Sequence, residues 1–220
     1  MSYIDFVLEA LQPYAVGEPI YTVDIREQVA EHFKLSKEDA RGATSVALQR
    51  IVQRNLDPAL RHFHKGIFYH TKKTAFGEVG IDKQQLIADK YLKNDSGYET
   101  GYSALYRFGL TTQLPRELCI ATNQSWGAAR MNKKLGVVFC SPKTLVTKDN
   151  KLYLQLLDVL EIMGRAPIDA DHPYSILTQH IEKHGLRYDV LLNIADRFYS
   201  QNTVLQLAHT AGQGGTYAIT

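Results

Sequence analysis

SKEDARGATSVALQRIVQRN (36–55), followed by LDPALRHFHKGIFYHTKK (56–73), decides the fold of this chain. The first part spaces its apolar residues as one face of a long helix. The second alternates polar and apolar residues about Lys65-Gly66, the pattern of a tight hairpin in which Gly66 supplies a positive φ. Charge follows the same division. From Lys34 to Lys73 nine Lys/Arg stand against three acids, a net +6, whereas residues 1–33 hold Arg26 and six acids, a net −5. The whole chain carries only +2. Cations gathered on one helix and the hairpin after it are the electrostatic footprint of a DNA-reading module.

The helix divides into two faces at roughly 100° per residue. Ala40, Ala43, Ala47, Leu48, Ile51 and Val52 fall on the side expected to be buried, mostly small residues that permit close packing. Arg41, Gly42, Ser45, Val46, Gln49, Arg50 and Gln53 fall on or near the other. Gln suits adenine, Arg suits guanine or phosphate, and Val46 suits a thymine methyl. Ser36 is expected to cap this helix, with Asp39 three residues on.

Two shorter helices precede it. YIDFVLEAL (3–11) places Ile4, Val7, Leu8 and Leu11 at helical steps, and Pro13 and Gly17 end it. Thr22 is expected to cap VDIREQVAEHF, whose stripe is Ile25, Val29 and Phe33. Three short helices and a basic hairpin make a winged helix-turn-helix, with the hairpin as the wing. Wing cations contact phosphates and position the protein more than they specify sequence. The expected DNA-binding set is Lys37, Arg41, Ser45, Gln49, Arg50, Arg61, His64, Lys65, Lys72 and Lys73. The competing reading makes this fold a protein-contact module with a solvated basic face.

At 220 residues the chain accommodates two small domains. No run of 18 apolar residues suggests a membrane span, and MSYIDFVLEALQ lacks the features of a secretory signal. A cytoplasmic protein is expected. Cys119 and Cys140 lie in apolar runs and read as buried free thiols. The boundary is expected near 74–95, where Gly77 and Gly80 break structure and residues 82–92 form a linker helix.

In the second half, Ser103–Phe108 suits a short helix ended by Gly109. LCIAT, GVVFCSP and, less clearly, TLVTKDN (144–150) read as strands. LYLQLLDVLEIMG is amphipathic through Leu152, Leu156, Val159, Leu160 and Met163. Helices follow at 174–184 and 187–209, the latter broken near Ser200, and the tail from 211 reads as mobile. The class is therefore α+β: a winged helix over 1–80 with its linker helix to about 95, then a mixed α/β domain over 96–220.

No catalytic set emerges from this half. DADHP (169–173) reads as a turn in which Asp bonds its own backbone rather than as a metal site. HIEKH (180–184) lacks the Glu that must follow the first His of a zinc-protease helix, and reads as an exposed pair. Between residues 100 and 148 the only acid is Glu117, so two-metal chemistry has no ligands there. A metal-dependent enzyme using Asp169, Asp171 and His172 is the remotest alternative. No cofactor, metal or catalytic residue is expected.

GYETGYSALYRFGLTTQLPRELCIATN (97–123) resembles the central motif of AbiEi-type antitoxins of type IV toxin–antitoxin systems. The match rests on Gly101, Ser103, Gly109, Leu110, Thr111, Thr112, Gln113, Pro115, Ala121, Thr122 and Asn123. Residues 65–80 are similar to the family's wing and linker, and 153–162 to the helix after its sheet. The likeness spans most of 20–165; His70-Thr71 stand where the family has a proline after its aromatic pair. Membership would imply a winged helix that binds inverted repeats in duplex operator DNA and represses its own operon. It would also imply a C-terminal antitoxin domain that neutralises a nucleotidyltransferase-like toxin, with direct contact not assumed, in a protein monomeric in solution. Arg107, Arg116, Arg130, Lys133 and Lys134 would then be the antitoxin-domain candidates. A regulator with a ligand- or protein-sensing second domain and no toxin is the alternative.

Overall fold

The computed structural model describes residues 1–93 and 95–213. Residues 214–220, the end of the tail expected to be mobile, lie outside the described residues, and 211–213 continue the last helix. The chain is mixed α+β and forms two compact units, Met1–Leu86 and the part from Ile87 onward.

The first unit runs α1 (Tyr3–Leu11), β1 (Ile20–Tyr21), α2 (Thr22–Phe33), α3 (Lys37–Gln53), β2 (Leu60–His64) and β3 (Ile67–His70). Ser36 Oγ accepts from Asp39 N at 3.1 Å and donates to Asp39 Oδ2 at 2.6 Å, which fixes where α3 begins. Thr22 does not cap α2. It is the first helical residue, and the preceding Tyr21 makes no side-chain cap bond. Val7, Leu11, Ile25, Val29, Ala40, Ala47, Leu48 and Ile51 form the core. Each large aliphatic side chain enclosed there contributes about 1.5–3 kcal/mol.

Two residues of α3 depart from the sequence expectation. Thr44 is fully buried, and Val52, expected inside, is 40 % exposed. By helical angle Thr44 lies within the apolar stripe, between Ile51 and Leu48, and is covered with them, whereas Val52 lies at the edge of the stripe and is left open.

β1, β3 and β2 form an antiparallel sheet in that order. The β2–β3 register shifts between His62 and His64, and Gly66 turns the hairpin at φ +76°. His70 points inward, with Nδ1 3.2 Å from the Tyr14 carbonyl and Nε2 3.0 Å from Asp57 Oδ2. The expected connector holds a further small hairpin, β4 (Lys73–Thr74) with β5 (Gly77–Glu78). The linker helix is α4 (Lys83–Ile87), which widens to π geometry over Ala88–Leu92, where Lys93 N donates to Ala88 O at 2.7 Å.

In the second unit β6 (Gly97–Thr100), β7 (Leu118–Thr122), β8 (Arg130–Asn132) and β9 (Val137–Cys140) form one sheet in the order β6-β7-β9-β8. Only β7 and β9 run parallel. α5 (Gly101–Arg107) ends at Gly109, φ +73°, with Leu110 N donating to Leu105 O at 3.0 Å. TLVTKDN is a loop, not a strand. The Asn123 amide supplies the pairing a strand would have given: Nδ2 donates to Val146 O and Oδ1 accepts from Val146 N, both at 2.8 Å.

α6 (Lys151–Met163) is more enclosed than an amphipathic helix. Leu154 packs with Tyr98 and Ala121 of the sheet, while Leu156, Leu157 and Leu160 pack among the helices. Those helices are α7 (Pro173–Lys183), α8 (Tyr188–Phe198) and α9 (Gln201–Gln213), with the break at Tyr199–Ser200. Asp158 of α6 is buried, yet it accepts Thr100 Oγ1 at 2.7 Å, Tyr98 OH at 3.0 Å and Tyr199 OH at 2.7 Å. Burial pushes its carboxyl above the usual range, against these three bonds. Cys119 and Cys140 are free but only partly buried, and desolvation raises both thiols, Cys140 to about 11.

Candidate nucleic-acid interface

The exposed face of α3 does not stand alone. Together with the start of α2 and the β2–β3 hairpin it walls a concavity of about 560 Å³. Arg41, Ser45 and Gln49 line it from α3, and Lys65 and Gly66 from the turn of the hairpin. The floor is apolar: Leu48, Val52 and Phe68, with Val23 from α2. This explains the exposure of Val52, which looks into the groove rather than into the core.

Four polar residues outside the sequence-predicted set also line the groove: Thr22, Arg26, Gln53 and His62. Arg26 additionally flanks Arg41 in a smaller concavity with Ser36 and Lys37 at the start of α3. It is the only Lys or Arg among the acidic residues 1–33, and that isolation was its only signal. His62 lies against Phe68 across the hairpin, ring centroids 5.0 Å apart, because the two are register partners on one sheet face.

The remaining predicted residues sit elsewhere. Arg50 and His64 are exposed but do not line the groove. Arg61 pairs with Tyr69 in register, on the sheet face opposite His62. There it bonds Glu78 Oε1 at 3.3 Å and the carbonyls of Pro58 and Leu60 at 2.8 and 3.1 Å. Lys72 and Lys73 are exposed beside the β4–β5 hairpin, whose tip carries a fully exposed Phe76. Gly42 faces open space, where a Cβ would meet nothing within 4 Å.

The antitoxin-domain candidates do not converge. Arg107 Nε lies 2.5 Å from Oε2 of the buried Glu99. Desolvation raises the Glu99 carboxyl, and Arg107 counters that only in part. Arg116 lines a concavity of about 340 Å³ with Tyr102, Gln113, Leu114 and Cys119. Arg130 lines another, of about 310 Å³, with Trp126. Lys133 and Lys134 follow in the β8–β9 turn and are exposed.

Two motifs weighed for chemistry change their meaning. Asp169 does not bond its own neighbourhood in the main; it reaches Thr112, accepting from N at 2.9 Å and from Oγ1 at 2.6 Å. Those bonds to the Thr112 side chain and backbone hold its carboxyl below the usual range. The histidines of HIEKH are not an exposed pair. His180 is half-buried, its ring 4.3 Å from those of both Phe108 and His184, and its buried Nε2 has no partner among the described residues. Among the described residues no three His, Cys, Asp or Glu side chains are grouped to hold a metal, and no helix is long and apolar enough to cross a membrane.

No protein-family model matches the sequence, and no curated protein resembles it at significant similarity.

Proposed function

We propose that this chain is a winged-helix DNA-binding protein that represses its own operon and acts as an antitoxin of the AbiEi kind. The observation that carries the DNA half is the groove in which Arg26, Arg41, Gln49 and Lys65, drawn from two helices and a hairpin, surround an apolar floor. In this reading α3 enters the major groove. Gln49 and Arg41 read base edges, Val46 meets a thymine methyl, and Arg26 and Lys65 hold the phosphates that run between helix and wing. The antitoxin half rests on the likeness of residues 97–123 to the AbiEi motif and on the lack of a catalytic set in the sequence. The concavity lined by Tyr102 and Arg116 favours the second reading, a ligand-sensing regulator.

Binding of the full chain to DNA from upstream of its own gene tests the first half. Gln49→Ala should cost about 1–3 kcal/mol on the operator and relax sequence choice, whereas Lys65→Ala should weaken all sequences alike. Equal losses on operator and random duplex for Gln49→Ala would remove the base-reading role. Co-expression with the adjacent gene tests the second half. Growth rescue supports the antitoxin, and no rescue shifts the reading to the sensor.

A further inference from the structure

We propose that the second unit carries a separate nucleic-acid site, a pocket beside Trp126 that takes an unstacked base from a single strand. The pocket opens where β7 ends. Tyr91 and Phe139 line it with ring centroids 4.6 Å apart. Arg130 is the register partner of Phe139, so its guanidinium rises on the same sheet face as that aromatic pair. Trp126 lines the same pocket and is 79 % exposed.

A tryptophan brings a large, rigid planar ring suited to stacking. Here it stands beside a guanidinium and the side-chain amide of Gln124. Aromatic ring, planar cation and amide are the three groups that recognise a splayed base, by stacking and by its hydrogen-bonding edge. The surroundings suit the strand that would carry the base. Residues 118–148 contain five Lys/Arg and no Asp or Glu. Lys133 and Lys134 follow in the next turn, and Lys90 Nζ lies 5.4 Å from the Tyr91 ring centre. Lys143 of this group is tied to Glu161 at 3.0 Å and is not part of the site. A base inside a duplex stack cannot lay its face on Trp126, so the ligand is single-stranded. The site lies wholly in the second unit and does not depend on the groove of the first.

Trp126 is the only tryptophan in the chain, so its emission reports this pocket alone. The full chain is titrated with single strands of about 12 nucleotides, oligo(rA), oligo(rU) and their deoxy counterparts, and with duplex of equal length. Saturable quenching by single strands, at least about 10-fold tighter than by duplex, is the expected result. The ribo and deoxy arms tell RNA from DNA. Anisotropy with labelled strands should then show a loss of about 10-fold or more for Trp126→Ala and a smaller one for Trp126→Phe, as removal of a stacking platform requires. Arg130→Ala should weaken binding and reduce its salt dependence. Duplex operator binding by Trp126→Ala should be unchanged, which separates failure here from failure of the first unit's groove. Quenching by duplex equal to that by single strands, no quenching at all, or undiminished single-strand binding by Trp126→Ala overturns the proposal. Equal quenching by poly-glutamate also overturns it and reassigns the patch to an acidic protein partner.

Discussion

Neutralising the groove cations should change the salt dependence of duplex binding by an amount the structure sets. Arg26, Arg41 and Lys65 line the groove, whereas Arg61 is held by Glu78 and two carbonyls on the other sheet face. For duplex DNA, log K falls against log salt with a slope of about −0.9 per phosphate neutralised. Each single alanine variant at Arg26, Arg41 or Lys65 should therefore flatten the slope by about 0.9, and the triple variant by about 2.7. Raising salt from about 50 to 200 mM would then cost the triple variant about 40-fold less affinity than it costs the native chain. Arg61→Ala should leave the slope nearly unchanged, since its charge is already committed. Anisotropy of a labelled operator duplex across that salt range measures every slope. Thermal unfolding of the same variants checks folding, and these partly or fully exposed side chains should shift stability by no more than about 0.5 kcal/mol. A slope for Arg61→Ala as flat as that for Arg26→Ala would refute the assignment of the groove, as would a triple variant with the native slope.

Two stability predictions concern the second unit. Asn123→Ala deprives both backbone groups of Val146 of their partner; at about 1–3 kcal/mol for each group left unpaired, denaturant unfolding should show a loss of about 2–6 kcal/mol. His180 gives a pH dependence of definite sign. Burial first, then His184 and Lys183, lowers its imidazole from the ordinary 6.5 to about 4. The folded state thus resists protonation that the unfolded chain accepts. The contribution to stability is complete above 6.5 and is lost as pH falls from 6.5 toward about 4. The midpoint of thermal unfolding should fall over that window, and less steeply in His180→Leu; parallel curves for the two proteins would contradict this account.

Local pattern carried α3, the hairpin and the break at Ser200, because each is written in period, turn residue or cap within a few positions. The groove was half legible. Arg41, Ser45 and Gln49 share one helix face, and Lys65 follows from the turn. Arg26 was not readable, since it lies in an acidic segment and only the packing of α2 beside α3 delivers it. The wheel misplaced Val52 for the same reason: angle fixes neighbours on a helix, not which flank is covered; Thr44 falls inside the stripe by angle and was passed over only because it is polar. Asp169 and Thr112 are 57 residues apart, and no local rule pairs them. The i, i+4 spacing of His180 and His184 put them on one face correctly. It could not announce Phe108, which arrives from α5 and covers that face at His180.

The carboxylate at Asp158 has a consequence for the kinetics of the molecule. Its three hydroxyl donors lie 60, 58 and 41 residues away in sequence, so the cluster closes only after the sheet and the junction of α8 with α9 have met α6. Contacts spanning such separations cost the most chain entropy to form and belong to the late stage of folding. Interactions absent from the transition state govern how fast a native structure opens rather than how fast it forms. Asp158→Asn should therefore speed the unfolding of the second unit more than it slows its folding, as expected of a latch that fastens last.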